Sequence, residues 1–200
     1  MKDRQVSQNE APSPDRPDGV LRLRPPELAD EHQFIAAHMI MATENWEFGL
    51  GFDPDRPWSE FVDAITNRRY GRGLPAGWVP ETFLVAVVEG VCPQVHCPTG
   101  GLGTIVGRLS VRHGLSDFLL EQGGHIGYGV LPAHRRKGYA TEILRQGLIV
   151  ARSLGNSPTL VTCDDDNIGS LKTIERHGGV LDKPYVPADG STPTRRYWIT

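Results

Sequence analysis

The stretch VLPAHRRKGYATEIL, residues 130–144, decides how the chain is read. A strand-like run ends at Leu131 and Pro132, the chain turns through AHRRKG, and a helical pattern begins. Ala140, Ile143, Leu144, Leu148 and Ala151 mark one apolar stripe of that helix, which stops near Gly155 and Pro158. A strand that turns directly into a helix leaves several backbone N–H groups unpaired at the helix's positive end, which makes an anion site. Gly138 permits close approach of a ligand, Ala140 keeps the next position small, and Arg135, Arg136 and Lys137 add positive charge. A pyrophosphate suits such a turn. The residues alone do not choose among nucleotides, and a run of three basic residues is also what a solvated surface carries.

Working outward, HIGYGVLP (125–132) leads into the turn as a strand, and GTIVGRLSVRH (103–113) precedes it with Ile105, Gly107, Leu109 and Val111 on one face. TFLVAVVEG (82–90) is a nearly continuous apolar run. On the other side of the helix, TLVTC (159–163) is a short strand, followed by Asp164 to Asp166 and then Asn167, which opens a helix carrying Ile168, Leu171 and Ile174 and stopping at Gly178 and Gly179. VLDKPYV and RRYWI are expected to close the chain as a hairpin. Near the start, VLRLR (20–24) alternates as a strand. Phe34, Ile35, Ala37, Met41 and Ala42 recur at helical spacing, as do Trp58, Phe61, Val62 and Ile65. The expected order is β-α-α-β-β-β-α-β-α-β-β, an α/β fold.

Composition sets the frame. The 200 residues, 38% hydrophobic and with a formal net charge of −3, suit one domain with a real core. Residues 1–18 are poor in large apolar side chains and rich in Pro, Asp, Arg, Ser and Gln, so they read as a flexible tail before a domain spanning 19–200. Balanced charge offers no field to gather nucleic acid or an anionic membrane. No run of ~20 apolar residues or secretory signal is present, and a cytoplasmic protein is expected. Cys92, Cys97 and Cys163 read as reduced thiols rather than a disulfide framework. Cys92, His96 and Cys97 share one loop, but a fourth ligand at zinc spacing is missing, and no metal is expected.

RRKGYA (135–140) resembles the Arg/Gln-x-x-Gly-x-Gly/Ala signature of the GNAT superfamily of acetyl-CoA-dependent N-acetyltransferases. The resemblance extends over about 20–199, including the strand before the signature, the helix after it, the Asn167-x-x-Ser170 helix start and the Gly178 stop. More narrowly, GGHIGYGVLPAHRRKGYATEIL, TCDDDNIGSLKTIERHGG and RRYWI look like a group of predicted bacterial acetyltransferases. The resemblance implies a GNAT fold: a mixed, mostly antiparallel sheet flanked by helices, splayed between the HIGYGVLP and TLVTC strands. It implies acetyl-CoA as co-substrate, its pantetheine arm lying beside Val130 like an added strand. Arg136, Lys137, Gly138, Tyr139, Ala140 and Thr141 would form the phosphate cradle, and Arg135 would buttress the turn or reach a phosphate. Asn167 would meet the pantetheine or amine region, although a plain helix N-cap reads equally well from position alone.

The implied reaction is direct attack of an amine on the thioester, with backbone N–H of the fourth strand stabilising the oxyanion. Here the chain departs from the family. Ile174 stands where a tyrosine often protonates the leaving thiolate, and Gly124 and Thr162 stand where acidic residues are often found. The catalytic candidates left are His125, Glu121 and Asp164. His125 alternates away from Ile126, Tyr128 and Val130 and reads also as a packed side chain; the two carboxylates read also as solvated. Tyr128 is either a pocket wall or core, and Cys163 is read as core. The expected partner is a small-molecule or peptide amine acceptor, with a homodimer as a further option and neither nucleic acid nor membrane. Two other readings stay open: a GNAT-fold acyl-CoA sensor without turnover, and an interaction module using the GLPAGWVP loop.

Overall fold

The computed structural model describes residues 19–89 and 103–200; the expected tail and the loop with Cys92, His96 and Cys97 lie outside the described residues. The elements follow the expected order. They are β1 (Leu21–Arg24), α1 (Glu31–Ala42), α2 (Trp58–Arg69), β2 (Glu81–Val88), β3 (Thr104–Arg112), β4 (Ile126–Val130), α3 (Tyr139–Ser153), β5 (Thr159–Asp164), α4 (Ile168–Arg176), β6 (Val180–Leu181) and β7 (Thr194–Ile199). Two 3₁₀ turns, Leu28–Asp30 and Pro132–His134, and a π-helical turn at Leu119–Gly123 complete them. The π-helical turn carries no periodic signal in the sequence.

All seven strands join one sheet in the order β1-β2-β3-β4-β5-β7-β6. Every neighbouring pair is antiparallel except β4 and β5, which run parallel because α3 is the crossover between them. Apolar clusters cover both faces. On one, Ile143, Leu144 and Leu148 of α3 pack on Leu109, Val111 and Ile126; on the other, Phe34 of α1 and Trp58 and Phe61 of α2 pack on Phe83, Val85 and Ile105. Phe34 is fully buried, with its ring 4.7 Å from that of Trp58 and 5.2 Å from those of Phe48 and Phe61. β2 is buried along its whole length, which explains a continuous apolar run instead of alternation.

Ile105 differs from its expected face. The β2–β3 register shifts between Ala86 and Val87, so Ala86 pairs with Gly107 and Val87 with Ile105. That irregularity turns Ile105 into the α1–α2 cluster, while Leu109 and Val111 face α3.

Candidate active site

β4 and β5 share a single register pair, Ile126 with Val161. Beyond it the strands part, and β4 loses its partner on one side. Arg112 N donates to the His125 carbonyl and Leu131 N to the Val106 carbonyl, so the odd-numbered residues of β4 turn their backbone groups to β3. By the alternation of strand hydrogen bonding, Tyr128 and Val130 turn theirs to the gap. A cavity of about 730 Å³ opens there, walled by Tyr128 and Val130, the turn into α3, the end of β5 and the start of α4.

The turn has the local chemistry expected of it. Arg136 (φ 63°) and Gly138 (φ 77°) both adopt left-handed backbone, and Gly138 is the N-cap of α3. A glycine N-cap brings no side-chain oxygen to the first helical turn, so the N–H groups of Ala140 and Thr141 stay uncapped by any side chain at the cavity wall. Arg136 also lines the cavity. Tyr139 does too, but its side chain is 3% exposed and joins the α3 core, so only its backbone is offered there. Lys137 lies outside the wall and contributes charge from the rim.

Arg135 is the buttress. Its Nε donates to the Val130 carbonyl at 3.1 Å, and its guanidinium pairs with the Glu44 carboxylate just beyond α1. That leaves it holding the turn rather than aimed at a phosphate. Asn167 lines the cavity and also caps α4, its Oδ1 accepting from Ser170 N at 3.0 Å. Tyr128 belongs to the wall: its hydroxyl meets Ser170 Oγ at 2.9 Å, and burial pushes its pKa up to about 12.

The catalytic candidates separate. Asp164, exposed at the end of β5, lines the cavity. His125 does not reach it. Its ring is held at the closed end of the β4–β5 junction, where Nδ1 accepts from Leu160 N at 2.9 Å, and burial with nearby Arg112 keeps its pKa below the usual imidazole range. Glu121, exposed on the π-helical turn, also lies off the cavity wall. Both precede β4, whose cavity end is the other one; the expectation that Glu121 faces the cleft fails because strand ends were placed without strand direction.

The departures from the family pattern have physical counterparts. Gly124 has φ 62°, and a Cβ there would stand 2.8 Å from the Leu160 carbonyl oxygen, so a side chain would collide with β5. Thr162 Oγ1 donates to the Gln122 carbonyl at 2.6 Å. Ile174 is fully buried in the α3 core, and Cys163 is 8% exposed with its thiol pushed up to about 11, which makes it a packed residue and no nucleophile. The structure adds wall residues that the sequence reading missed: Trp46 beyond α1, His134 in the turn, and Ser170, Lys172 and Thr173 on α4. Only the helical spacing of 170 and 173 from Asn167 could have pointed to any of them. Among the described residues no group of three His, Cys, Asp or Glu is placed to hold a metal. No helix among them is long and apolar enough to cross a membrane.

The chain resembles RimJ of Mycobacterium smegmatis, solved with CoA-disulfide, at a TM-score of 0.63 and 19% identity over 91% of this chain and 82% of that one. It resembles yncA of Salmonella typhimurium, solved with its cofactor acetyl-CoA, at 0.57 and 14% over 90% and 93%. A third likeness is the spermidine N-acetyltransferase SpeG chimera from Vibrio cholerae and hSSAT, at 0.55 and 14% over 90% and 94%. Among curated proteins none matches. The family model of the acetyltransferase (GNAT) domain matches residues 21–180. With the splayed β4–β5 pair and the uncapped turn of RRKGYA in place, the chain belongs to the GNAT acetyltransferase family, whose members use acetyl-CoA as co-substrate.

Proposed function

We propose that the protein transfers the acetyl group of acetyl-CoA to a primary amine of a small-molecule or peptide acceptor by direct attack on the thioester. The observation that carries this is the β4–β5 gap: β4 backbone at Tyr128 and Val130 that no neighbouring strand pairs leads straight to helix N–H groups that no side chain caps. Acetyl-CoA supplies the activated acyl group and an anionic pyrophosphate that fits the turn. The backbone groups of Tyr128 and the Val130 N–H hold the pantetheine amides as a neighbouring strand would, while the Val130 carbonyl stays with Arg135. N–H of the same strand stabilises charge gathering on the carbonyl oxygen.

The amine must lose a proton to attack, and the thiolate must be tolerated as it leaves. Asp164 is the one expected catalytic side chain on the cavity wall and accepts the proton directly or through water. Tyr128, pushed up to about 12, keeps its proton at neutral pH and offers it, through the Tyr128–Ser170 contact, on the side from which the thiolate departs. CoA thiol, like other thiols ionising near pH 8.5, needs only modest help. Residues 19–200 act as one catalytic domain, in the cytoplasm.

A second reading is an acyl-CoA sensor without turnover, favoured by the burial of Ile174 and by the absence of His125 and Glu121 from the cavity wall. Release of free CoA thiol across a panel of primary amines separates the two. Amine-dependent release above the hydrolysis background is expected, and tight acetyl-CoA binding with no release for any amine would establish the sensor.

A further inference from the structure

Arg108 sits in the middle of β3, 7% exposed, beneath the segment that joins α1 to α2. Its guanidinium lies 4.3 Å from the centre of the Trp46 ring and 5.7 Å from that of Phe83. One amino group donates to the Glu47 carbonyl at 3.3 Å, and Nε is buried with no hydrogen-bond partner. Among the described residues no carboxylate pairs with it. Its neighbour Arg112 is compensated, by Glu81 at 3.9 Å and by the Gly123 carbonyl at 2.7 Å. Glu81 and Glu47 act on Arg108 only from beyond ion-pair distance, so its guanidinium has no carboxylate in contact. Burial pulls the Arg108 pKa down to about 10, which still leaves it a cation at neutral pH.

Toward the reaction edge, the space beside Arg108 is taken up by Arg112 and Trp46 over two glycines of β4. Arg108 pairs in register with Gly129 of β4, and Ser110 with Gly127, so the strand beside it presents two positions without side chains. A Cβ at Gly127 would stand 3.6 Å from Arg108 Nη1, and one at Gly129 would stand 2.5 Å from the Trp46 ring, which fills that space. Trp46 lines the cavity, half-buried, and follows Asn45 in left-handed backbone (φ 55°) within a stretch that has no helix or strand. The indole is therefore the layer between the cavity and a buried cation with no carboxylate in contact.

We infer that Arg108 is the recognition site for a carboxylate on the acceptor, reached when the Trp46 indole swings off Gly129, so that the acceptor is an amine carrying a carboxylate. A buried guanidinium with a free Nε–H takes a carboxylate through two parallel N–H···O bonds. A monoanion supplies the contact partner that the guanidinium lacks; a dianion would leave an excess negative charge in an aromatic pocket. Arg108 stands on the strand next to β4, in register with Gly129, on the side of the reaction edge that Trp46 covers. This rests on the acetyl-transfer reading for the amine, while the carboxylate site stands on Arg108 alone.

The test uses the full chain, saturating CoA or acetyl-CoA, and amino acids and dipeptides paired with their carboxamides. Wild type is expected to favour each carboxylate over its amide at least tenfold in kcat/KM. In Arg108→Met that preference should collapse through KM, with acetyl-CoA affinity unchanged, and Arg108→Lys should restore part of it. Equal rates on acids and amides, or an unchanged preference in Arg108→Met, would overturn the proposal. If nothing is acetylated, calorimetry in the presence of CoA decides: binding of acids and not of amides upholds the site while defeating acetyl transfer, and binding of neither defeats the site.

Discussion

Gly138 concentrates what a single residue contributes here. Its left-handed backbone starts α3 without a side-chain cap, so the first-turn N–H groups are kept for a ligand. Gly138→Asp would add strain at φ 77° and a negative charge where a pyrophosphate should lie. Loss of charge-assisted bonds on a scale of at least ~2 kcal/mol should weaken acetyl-CoA binding more than tenfold. Calorimetry that gives equal affinities for both proteins would remove the turn from the site. At this scale the sequence was most legible where a residue's backbone does the work: RRKGYA could be placed because glycine and a helix start have local meanings. Trp46 and Arg108 could not, because one lies on an irregular segment and the other on an ordinary alternating strand, and only the folded sheet brings them together.

Among the elements, the β4–β5 pair has a closed end and an open end, and His125 belongs to the closed one. Its Nδ1 must accept from Leu160 N, a role only the unprotonated nitrogen can fill. The folded protein therefore holds this imidazole below its ordinary value, as burial also does for His113 and His134. Below about pH 6.5 the unfolded chain binds protons that the folded one refuses, so stability is full above that pH and falls as pH drops through it. His125→Gln should flatten the fall of urea midpoint between pH 7 and 5 and lower kcat/KM by less than the ~100-fold that a strongly used acid or base supplies. A thousandfold loss with acetyl-CoA binding intact would show that this histidine is catalytic after all. Element order could be read before the structure because helix and strand periods differ. The direction of each strand end could not, and that is what removed Glu121 and His125 from the cavity while keeping Asp164.

Across the described residues of the whole molecule, the sheet is one layer with helices on both faces, and the cavity opens at a break in its hydrogen bonding between β4 and β5. A ligand that fills this break joins the two halves of the sheet. Acetyl-CoA at a hundred times its Kd should add about 2.7 kcal/mol and raise Tm by roughly 5–10 °C for a chain of this size. Thermal scans should show this shift in wild type and not in Gly138→Asp; equal shifts in both would place the ligand elsewhere. The Arg135 clamp has a further consequence. Its guanidinium grips the end of β4 through Val130 and the end of α1 through Glu44, two residues before Trp46. The phosphate turn and the indole covering Arg108 thus hang from one side chain. Tied in this way, the two sides are expected to fill in order during acetyl transfer, the acyl donor first and CoA leaving last; product inhibition in which CoA competes with acetyl-CoA and not with the amine checks this.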